Sequence, residues 1–177
     1  GSIEDLYLLS ELYNFKITKI PFEDINEVIV SSTKIRKAIL SGNIQLANTY
    51  LGYHFHFTAN VISGTSIGKT IGFPTANLDI QDKLKIIPAD GVYVVKIGYK
   101  KKQYYGMMNI GVKPTFQAQS RSIEVHIFDF NQDIYNNSPC IYVLSRLRDE
   151  IKFNNINELK TQLQEDSDHA RIILEKF

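Results

Sequence analysis

The sequence has 177 residues, of which 44% are hydrophobic and 22% are charged, and its formal net charge is +1. This composition argues against a disordered chain, and the balanced charge gives no general attraction to nucleic acid or to a membrane surface, so we expect neither as a partner. The single cysteine, Cys140, excludes an internal disulfide, and no apolar run approaches the about 20 residues that span a bilayer. A cytoplasmic protein is therefore expected.

The first part of the chain, residues 1–52, is predicted to be mostly helical. Apolar residues recur at helical spacing over 3–14, whereas residues 15–20 alternate like a short strand. Two further short helices are predicted over about 33–40 and 44–51, each preceded or followed by the capping residues that such helices prefer.

From residue 54 onward the character of the sequence changes. Segments rich in β-branched and aromatic residues are separated by turn residues. The predicted strands cover 54–63, 91–99, 103–110, 122–130 and 139–147. Several strands without intervening helices indicate an antiparallel barrel or sandwich, and an amphipathic helix from 156 toward 173 is expected to close the chain.

A glycine-rich segment in the β-region carries the densest functional signal. Gly64, Gly68 and Gly72 free the backbone to approach phosphate groups, and Lys69 supplies positive charge. A conventional P-loop is excluded, because three residues rather than four separate Gly64 from Gly68 and because Pro74 forbids the long helix that should follow. A different phosphate-binding loop and a flexible hairpin connection both remain open.

Thr75 and Asn77 follow this segment and offer a hydroxyl and an amide oxygen two positions apart. In extended backbone these side chains point to the same side. Both are hard oxygen donors of the kind that Mg²⁺ uses together with water and phosphate oxygens. The alternative is that they are turn-forming residues after Pro74.

The segment 122–130 alternates in a way that places Glu124, His126 and Phe128 on one face of a strand. A carboxylate in mid-strand is either an exposed cross-strand charge or a general base aimed at a substrate hydroxyl. His126 has no metal-binding partner at useful spacing, so it is predicted to be packed or hydrogen-bonded rather than a ligand.

Taken together, five stretches of the chain resemble the riboflavin kinase domain of bacterial bifunctional riboflavin kinase/FMN adenylyltransferases. In order they are 68–77 (GKTIGFPTAN), 88–93 (PADGVY), 109–116 (NIG and PTF), 124–130 (EVHIFDF) and 147–153 (LR, E and KF). Five motifs in order are far more specific than any one of them. The resemblance implies a mainly β fold, a six-stranded antiparallel Greek-key barrel with a C-terminal helix, over residues 53–177.

The resemblance also implies a nucleotide side to the site. Gly64, Gly68, Lys69 and Gly72 correspond to the family's flap over ATP. Thr75 and Asn77 correspond to the residues that hold Mg²⁺ and nucleotide phosphate in that family. The implied activity is the ATP-dependent phosphorylation of riboflavin to FMN.

On the flavin side, Glu124 matches the family's catalytic base, which would deprotonate the terminal ribityl hydroxyl. Arg148 and Phe153 fall in the segment that helps to form the flavin-binding side of the pocket. One departure concerns Asn136 and Asn137, which stand where the family commonly has glycine after a turn. Asn tolerates the left-handed backbone, so the turn is expected to persist.

Residues 1–52 are expected to be a small α/β remnant of a nucleotidyltransferase domain. The segment 31–36 (SSTKIR) resembles the motif that closes the family's adenylyltransferase domain, where a helix N-terminus and an arginine meet phosphates. The rest of that domain would be this chain's missing partner. We therefore expect the chain by itself not to form FAD.

Two other functions compete with the kinase. A non-catalytic flavin- or nucleotide-binding barrel would explain the glycines and aromatics, but gives no reason for Thr75, Asn77 and Glu124 to occur together. An oligonucleotide-binding barrel would use a basic, aromatic face such as 99–105. We interpret the lysines at 100–102 as a charged hairpin turn instead.

Overall fold

The computed structural model describes residues 2–19, 24–25, 28–63, 67–114 and 119–177. The chain divides into two compact units, 1–31 and 32–177, and each is described by itself.

The first unit contains one helix and a minimal hairpin. Helix α1 covers Ile3–Tyr13, begins with a capping box between Ser2 and Asp5, and ends at Asn14 in the left-handed region. Strands β1 (Asp24–Ile25) and β2 (Val28–Ile29) pair antiparallel. The helix predicted over 3–14 is confirmed. The strand predicted over 15–20 is wrong over 15–19, which forms no regular element and has no sheet partner there, and residue 20 lies outside the described residues.

The second unit is built on a seven-stranded antiparallel sheet. Its strands are β3 (His56–Thr58), β4 (Asn60–Ile62), β5 (Ala76–Asp79), β6 (Gly91–Tyr99), β7 (Lys102–Pro114), β8 (Gln119–Ile127) and β9 (Cys140–Arg148). Its helices are α2 (Ser32–Leu40), α3 (Ile44–Leu51), α4 (Ile67–Thr70) and α5 (Ile156–Leu174). The mainly β class and the C-terminal helix are therefore confirmed.

The spatial order of the strands is β3-β9-β6-β7-β8-β5-β4, and its two ends are consecutive in the chain. Only Ala59 separates β3, which pairs with β9, from β4, which pairs with β5. The sheet therefore curls back on itself at segment 56–62. Seven strands are observed where the sequence pattern predicts five and the resemblance implies six, because the break at Ala59 divides the predicted strand 54–63 into β3 and β4 and because β5 matches no predicted segment.

Strand β5 was not predicted. Its sequence, Ala-Asn-Leu-Asp, is poor in β-branched and aromatic residues, so propensity gives no signal for a strand. It forms because β8 and β4 flank it and supply backbone hydrogen-bond partners on both sides. It matters for function because it follows Thr75 directly and carries Asn77.

Two hydrophobic clusters stabilise this unit, one on each face of the curled sheet. The interior cluster includes Val61, Val95, Met108, Val125 and Val143. The outer cluster includes Val94, Met107, Phe128, Leu144 and Ala170 of α5. Helix α5 thus covers part of the outer face.

Helices α2 and α3 belong to the same compact unit as the sheet. Ile39 and Ile44 are buried in the interior cluster, and Gln45 Nε2 donates to Ser145 Oγ at 2.8 Å. Asn48 Nδ2 donates to the Val143 carbonyl at 3.0 Å. The boundary between the two compact units lies before Ser32. The predicted boundary at 52/53 separates the remnant of a nucleotidyltransferase domain from the β-domain, and it stays a prediction.

Candidate active site

Polar residues of four strands form a row across the outer face of the sheet. Asn77 pairs with Glu124, Glu124 with Asn109, Asn109 with Val92, and Val92 with Arg148. Directly opposed residues of antiparallel strands place their side chains on the same face, about 5 Å apart at Cβ. The register thereby aligns three of the sequence-predicted site residues, which are far apart in the chain.

A cavity lies between this row, helix α5 and the segment 150–153. We call it the helix cavity. Its lining consists of Thr75, Val92, Met107, Asn109, Glu124, His126, Arg148, Glu150, Ile151, Phe153, Leu159 and Leu163. One part is apolar and the other carries hydroxyl, amide, carboxylate and guanidinium groups, the mixture that binds a planar, partly polar small molecule. Glu124, Arg148 and Phe153, predicted to serve the flavin side, all line it.

A second cavity, the loop cavity, lies on the other side of Thr75. Its lining consists of Lys69, the segment 74–76, Val125, Ile127, the segment 130–132, Ile134 and Tyr135. Thr75 belongs to both linings. Its Oγ1 donates a hydrogen bond of 2.9 Å to Glu124 Oε2. The threonine hydroxyl therefore stands at the boundary between the two cavities, in contact with the carboxylate.

The glycine-rich segment makes a tight turn that ends at Thr75. The Phe73 N–H donates to the Gly68 carbonyl at 2.8 Å, and a Cβ added at Gly68 would lie 2.2 Å from the Phe73 carbonyl oxygen. Gly72 has a φ of +90°, in the region that favours glycine. The local structure therefore requires glycine at 68, where a Cβ has no room, and favours glycine at 72, where φ is positive. Gly64 lies outside the described residues.

His126 holds the other side of this turn. Its Nδ1 lies 2.8 Å from the Pro74 carbonyl oxygen, so Nδ1 carries the proton and donates it. The ring packs edge-on against Phe73 and Phe128. Burial lowers the pKa of His126, against the opposing effect of the Pro74 hydrogen bond. The prediction that His126 is a packed, hydrogen-bonded side chain is confirmed.

Arg148 reaches the helix cavity but is also fixed to helix α5. Its Nε donates to Asp166 Oδ1 at 2.8 Å and its Nη2 to Asp166 Oδ2 at 2.6 Å. Asp166 is 4% exposed and accepts a further bond from Gln162. This bidentate pair connects β9 to α5 beside the cavity, a structural contact that the sequence did not indicate.

The donors around Thr75 suit a hard cation that is bound mainly through phosphate. The Thr75 hydroxyl contacts the Glu124 carboxylate. Asn77 of β5 pairs directly with Glu124 of β8, so both side chains lie on the same face of the sheet. Among the described residues, no group of three or more His, Cys, Asp and Glu side chains could enclose a metal ion. This donor set fits Mg²⁺, which takes few protein ligands and completes its shell with water and substrate oxygens.

Two turns predicted from the sequence are present in the structure. Lys100 and Lys101 both have positive φ values, of 47° and 62°, and form the two-residue connection between β6 and β7. Asn136 has a φ of 57° and keeps the left-handed turn that glycine usually forms. Both predictions are confirmed.

Several residues of the helix cavity were not predicted as site residues from the sequence. Asn109, Val92 and Met107 form its floor, and Leu159 and Leu163 contribute from α5. Strand alternation could have placed Asn109 and Met107 on one face. Their position beside Glu124 depends on strand register, which the sequence does not specify.

A family profile described as "Flavokinase: Riboflavin kinase" matches residues 51–174. The bifunctional riboflavin kinase/FMN adenylyltransferase of Bacillus subtilis is 43% identical over 144 residues, which are 80% of this chain and 45% of that protein. The protein of the same description from Buchnera aphidicola is 36% identical over 170 residues, 94% of this chain and 54% of that protein.

A crystal structure described as a macrolide-efflux protein from Streptococcus pneumoniae is also similar. It superposes with a TM-score of 0.84 at 38% identity, covering 97% of this chain and 55% of that one. This chain therefore spans about half the length of the curated relatives it matches. Among the residues described in the structure, no helix has the length and apolar character needed to cross a membrane.

Proposed function

The chain belongs to the riboflavin kinase family, and on that premise we propose that it transfers the γ-phosphate of ATP to the terminal ribityl hydroxyl of riboflavin, giving FMN. The observation that carries the proposal is the position of Thr75, whose side chain lines both cavities and whose hydroxyl contacts Glu124. A phosphoryl group passing from one cavity to the other would cross this point.

The helix cavity is assigned to riboflavin. Its apolar side, with Phe153, Leu159 and Leu163, suits the flat ring system, while the ribityl chain extends along the polar row toward Glu124. Glu124 would accept the proton of the terminal hydroxyl as that oxygen attacks phosphorus. Arg148, held by Asp166, would border the ring.

The loop cavity is assigned to ATP. Lys69 contributes positive charge, and the turn from Gly68 to Gly72 lets the backbone approach the phosphates. Thr75 and Asn77 would hold Mg²⁺, which when bound neutralises phosphate charge. The Thr75–Glu124 hydrogen bond would keep the base oriented beside the transferring group.

We further propose that the relatives' second activity does not reside in this chain. Residues 1–52 would be the end of an adenylyltransferase domain, and the full-length parent would convert FMN to FAD. FMN should therefore accumulate without FAD when this chain is supplied with riboflavin and ATP. The reaction is proposed to be cytoplasmic and to involve neither nucleic acid nor membrane.

The test is FMN formation from riboflavin and Mg·ATP, resolved by chromatography, for the wild type and Glu124→Gln. Glutamine keeps the size of the side chain and an acceptor for Thr75, but it cannot take a proton. We expect the variant to fold and to lose about 100-fold or more in kcat. Glu165→Gln, the same change at an exposed position of α5, is the matched control.

The outcome also separates the kinase from its main alternative. A folded wild type that binds riboflavin without phosphorylating it would favour a non-catalytic flavin-binding barrel. Full activity in Glu124→Gln, with an active wild type, would leave the kinase in place and reject the role of Glu124.

A further inference from the structure

Asn109 presents a polar side chain to the helix cavity, with apolar Val92 on one side and Glu124 on the other. It lies between Val92 and Glu124 in the row across the outer face. Met107, two residues earlier on the same face of β7, also lines the cavity. The amide thus stands at the boundary between the apolar part of the cavity and the carboxylate.

No side chain among the described residues forms a hydrogen bond with the Asn109 amide, although the cavity contains several polar groups. An amide offers both donors and an acceptor, and a ligand that displaces water from it must replace those bonds or lose affinity. A hydroxyl group is the ligand chemistry that can both donate to it and accept from it.

The position of Asn109 next to Glu124 in the row indicates which hydroxyl this would be. Cβ atoms of opposed residues lie about 5 Å apart, so Asn109 is one side-chain position from Glu124 along the row. Suppose that the terminal ribityl hydroxyl contacts Glu124 and that the flavin ring lies over the apolar side of the cavity. The ribityl chain then passes Asn109 at the carbon next to its reacting end.

We propose that Asn109 is a specificity-determining residue that binds the secondary hydroxyl next to the reacting terminal hydroxyl of the ribityl chain. The inference rests on the proposed function, because the ribityl direction follows from it. This bond selects polyhydroxylated flavins and holds the terminal carbon at a fixed angle to Glu124. A site built to bond a hydroxyl discriminates strongly against the analogue that lacks it.

The experiment is a double-mutant cycle in which one change removes the Asn109 amide and the other removes the hydroxyl of the substrate. It compares kcat/KM of the wild type and Asn109→Ala with riboflavin and with 4′-deoxyriboflavin, and measures binding of both flavins by fluorescence quenching. The wild type should prefer riboflavin by about 10- to 100-fold. The alanine variant should lose a similar factor with riboflavin and accept both flavins within about threefold.

Asn109→Leu, which keeps the branching of the side chain but removes its polar groups, repeats the test if the alanine variant folds poorly. Asn157→Ala, the same truncation at an exposed position of α5, should keep the wild-type preference. The proposal is overturned if Asn109→Ala or Asn109→Leu discriminates between the flavins as the wild type does. A wild type that binds riboflavin without phosphorylating it would refute the kinase, while the binding measurements would still decide on Asn109.

Discussion

The Thr75 hydroxyl donates a hydrogen bond of 2.9 Å to Glu124 Oε2 across 49 positions of sequence. The bond joins the end of the glycine-rich turn to the middle of β8, and so connects the two cavities through one pair of side chains. A hydrogen bond to a carboxylate is stronger than one between neutral groups, and it restricts the orientations that the Glu124 carboxylate can adopt.

Replacing Thr75 by valine should reduce activity without unfolding the protein. Valine keeps the branched shape but removes the hydroxyl that orients Glu124 and that would meet Mg²⁺ and phosphate. We expect kcat/KM to fall by about 100-fold, measured as FMN formation at varied Mg·ATP concentrations. Thr75→Ser, which keeps the hydroxyl, is the control. A valine variant as active as the serine variant would show that the hydroxyl has no role.

The sequence predicted those parts of the site that depend on local order along the chain. Alternation over 122–130 placed Glu124 and His126 on one face, and both line the helix cavity. The pairing of Glu124 with Asn109, and of Arg148 with Asp166, depends on strand register and on where α5 docks. Neither is encoded in a local pattern, because a shift of register would leave the same alternation and change every neighbour.

The bidentate pair of Arg148 and Asp166 should contribute strongly to stability. Asp166 is 4% exposed, so Asp166→Asn leaves a half-buried guanidinium without its counter-charge. We expect the free energy of unfolding to fall by about 3 kcal/mol, measured by denaturant titration.

The pair of Arg171 and Asp129 provides a matched comparison, because it is also bidentate but lies in solvent. Asp129→Asn should change stability little, since exposed ion pairs are screened and asparagine accepts the left-handed backbone at this position. Equal losses of stability in both variants would contradict the expectation that burial makes the pair of Arg148 and Asp166 the more stabilising one.

The half-buried His126 should make stability depend on pH. Burial lowers its pKa in the folded state, so the unfolded chain binds more protons between the folded value and the ordinary value near 6.5. The contribution of His126 is therefore fully present above about pH 6.5 and is lost as the pH falls through the folded pKa.

His126→Asn tests this, because asparagine can still donate to the Pro74 carbonyl but does not titrate. The charged neighbours Arg171, Asp129 and Glu124 are common to both proteins. The free energy of unfolding should rise less steeply with pH in the variant than in the wild type across this window. Parallel curves would mean that His126 titrates alike in the folded and unfolded states.

Gly68→Ala should damage the ATP side of the site because backbone, and not a flexible side chain, occupies the space that a Cβ needs. The added atom would lie 2.2 Å from the Phe73 carbonyl oxygen, so the turn leading to Thr75 must shift. Misplacement of a positioning group by about 1 Å can cost about 100-fold in rate. We expect a loss of at least about tenfold in kcat/KM for Mg·ATP, with riboflavin binding retained. Gly98→Ala, whose Cβ would meet its nearest atom at an ordinary 3.7 Å, should keep full activity, and equal activity of the two variants would show that the turn tolerates the shift.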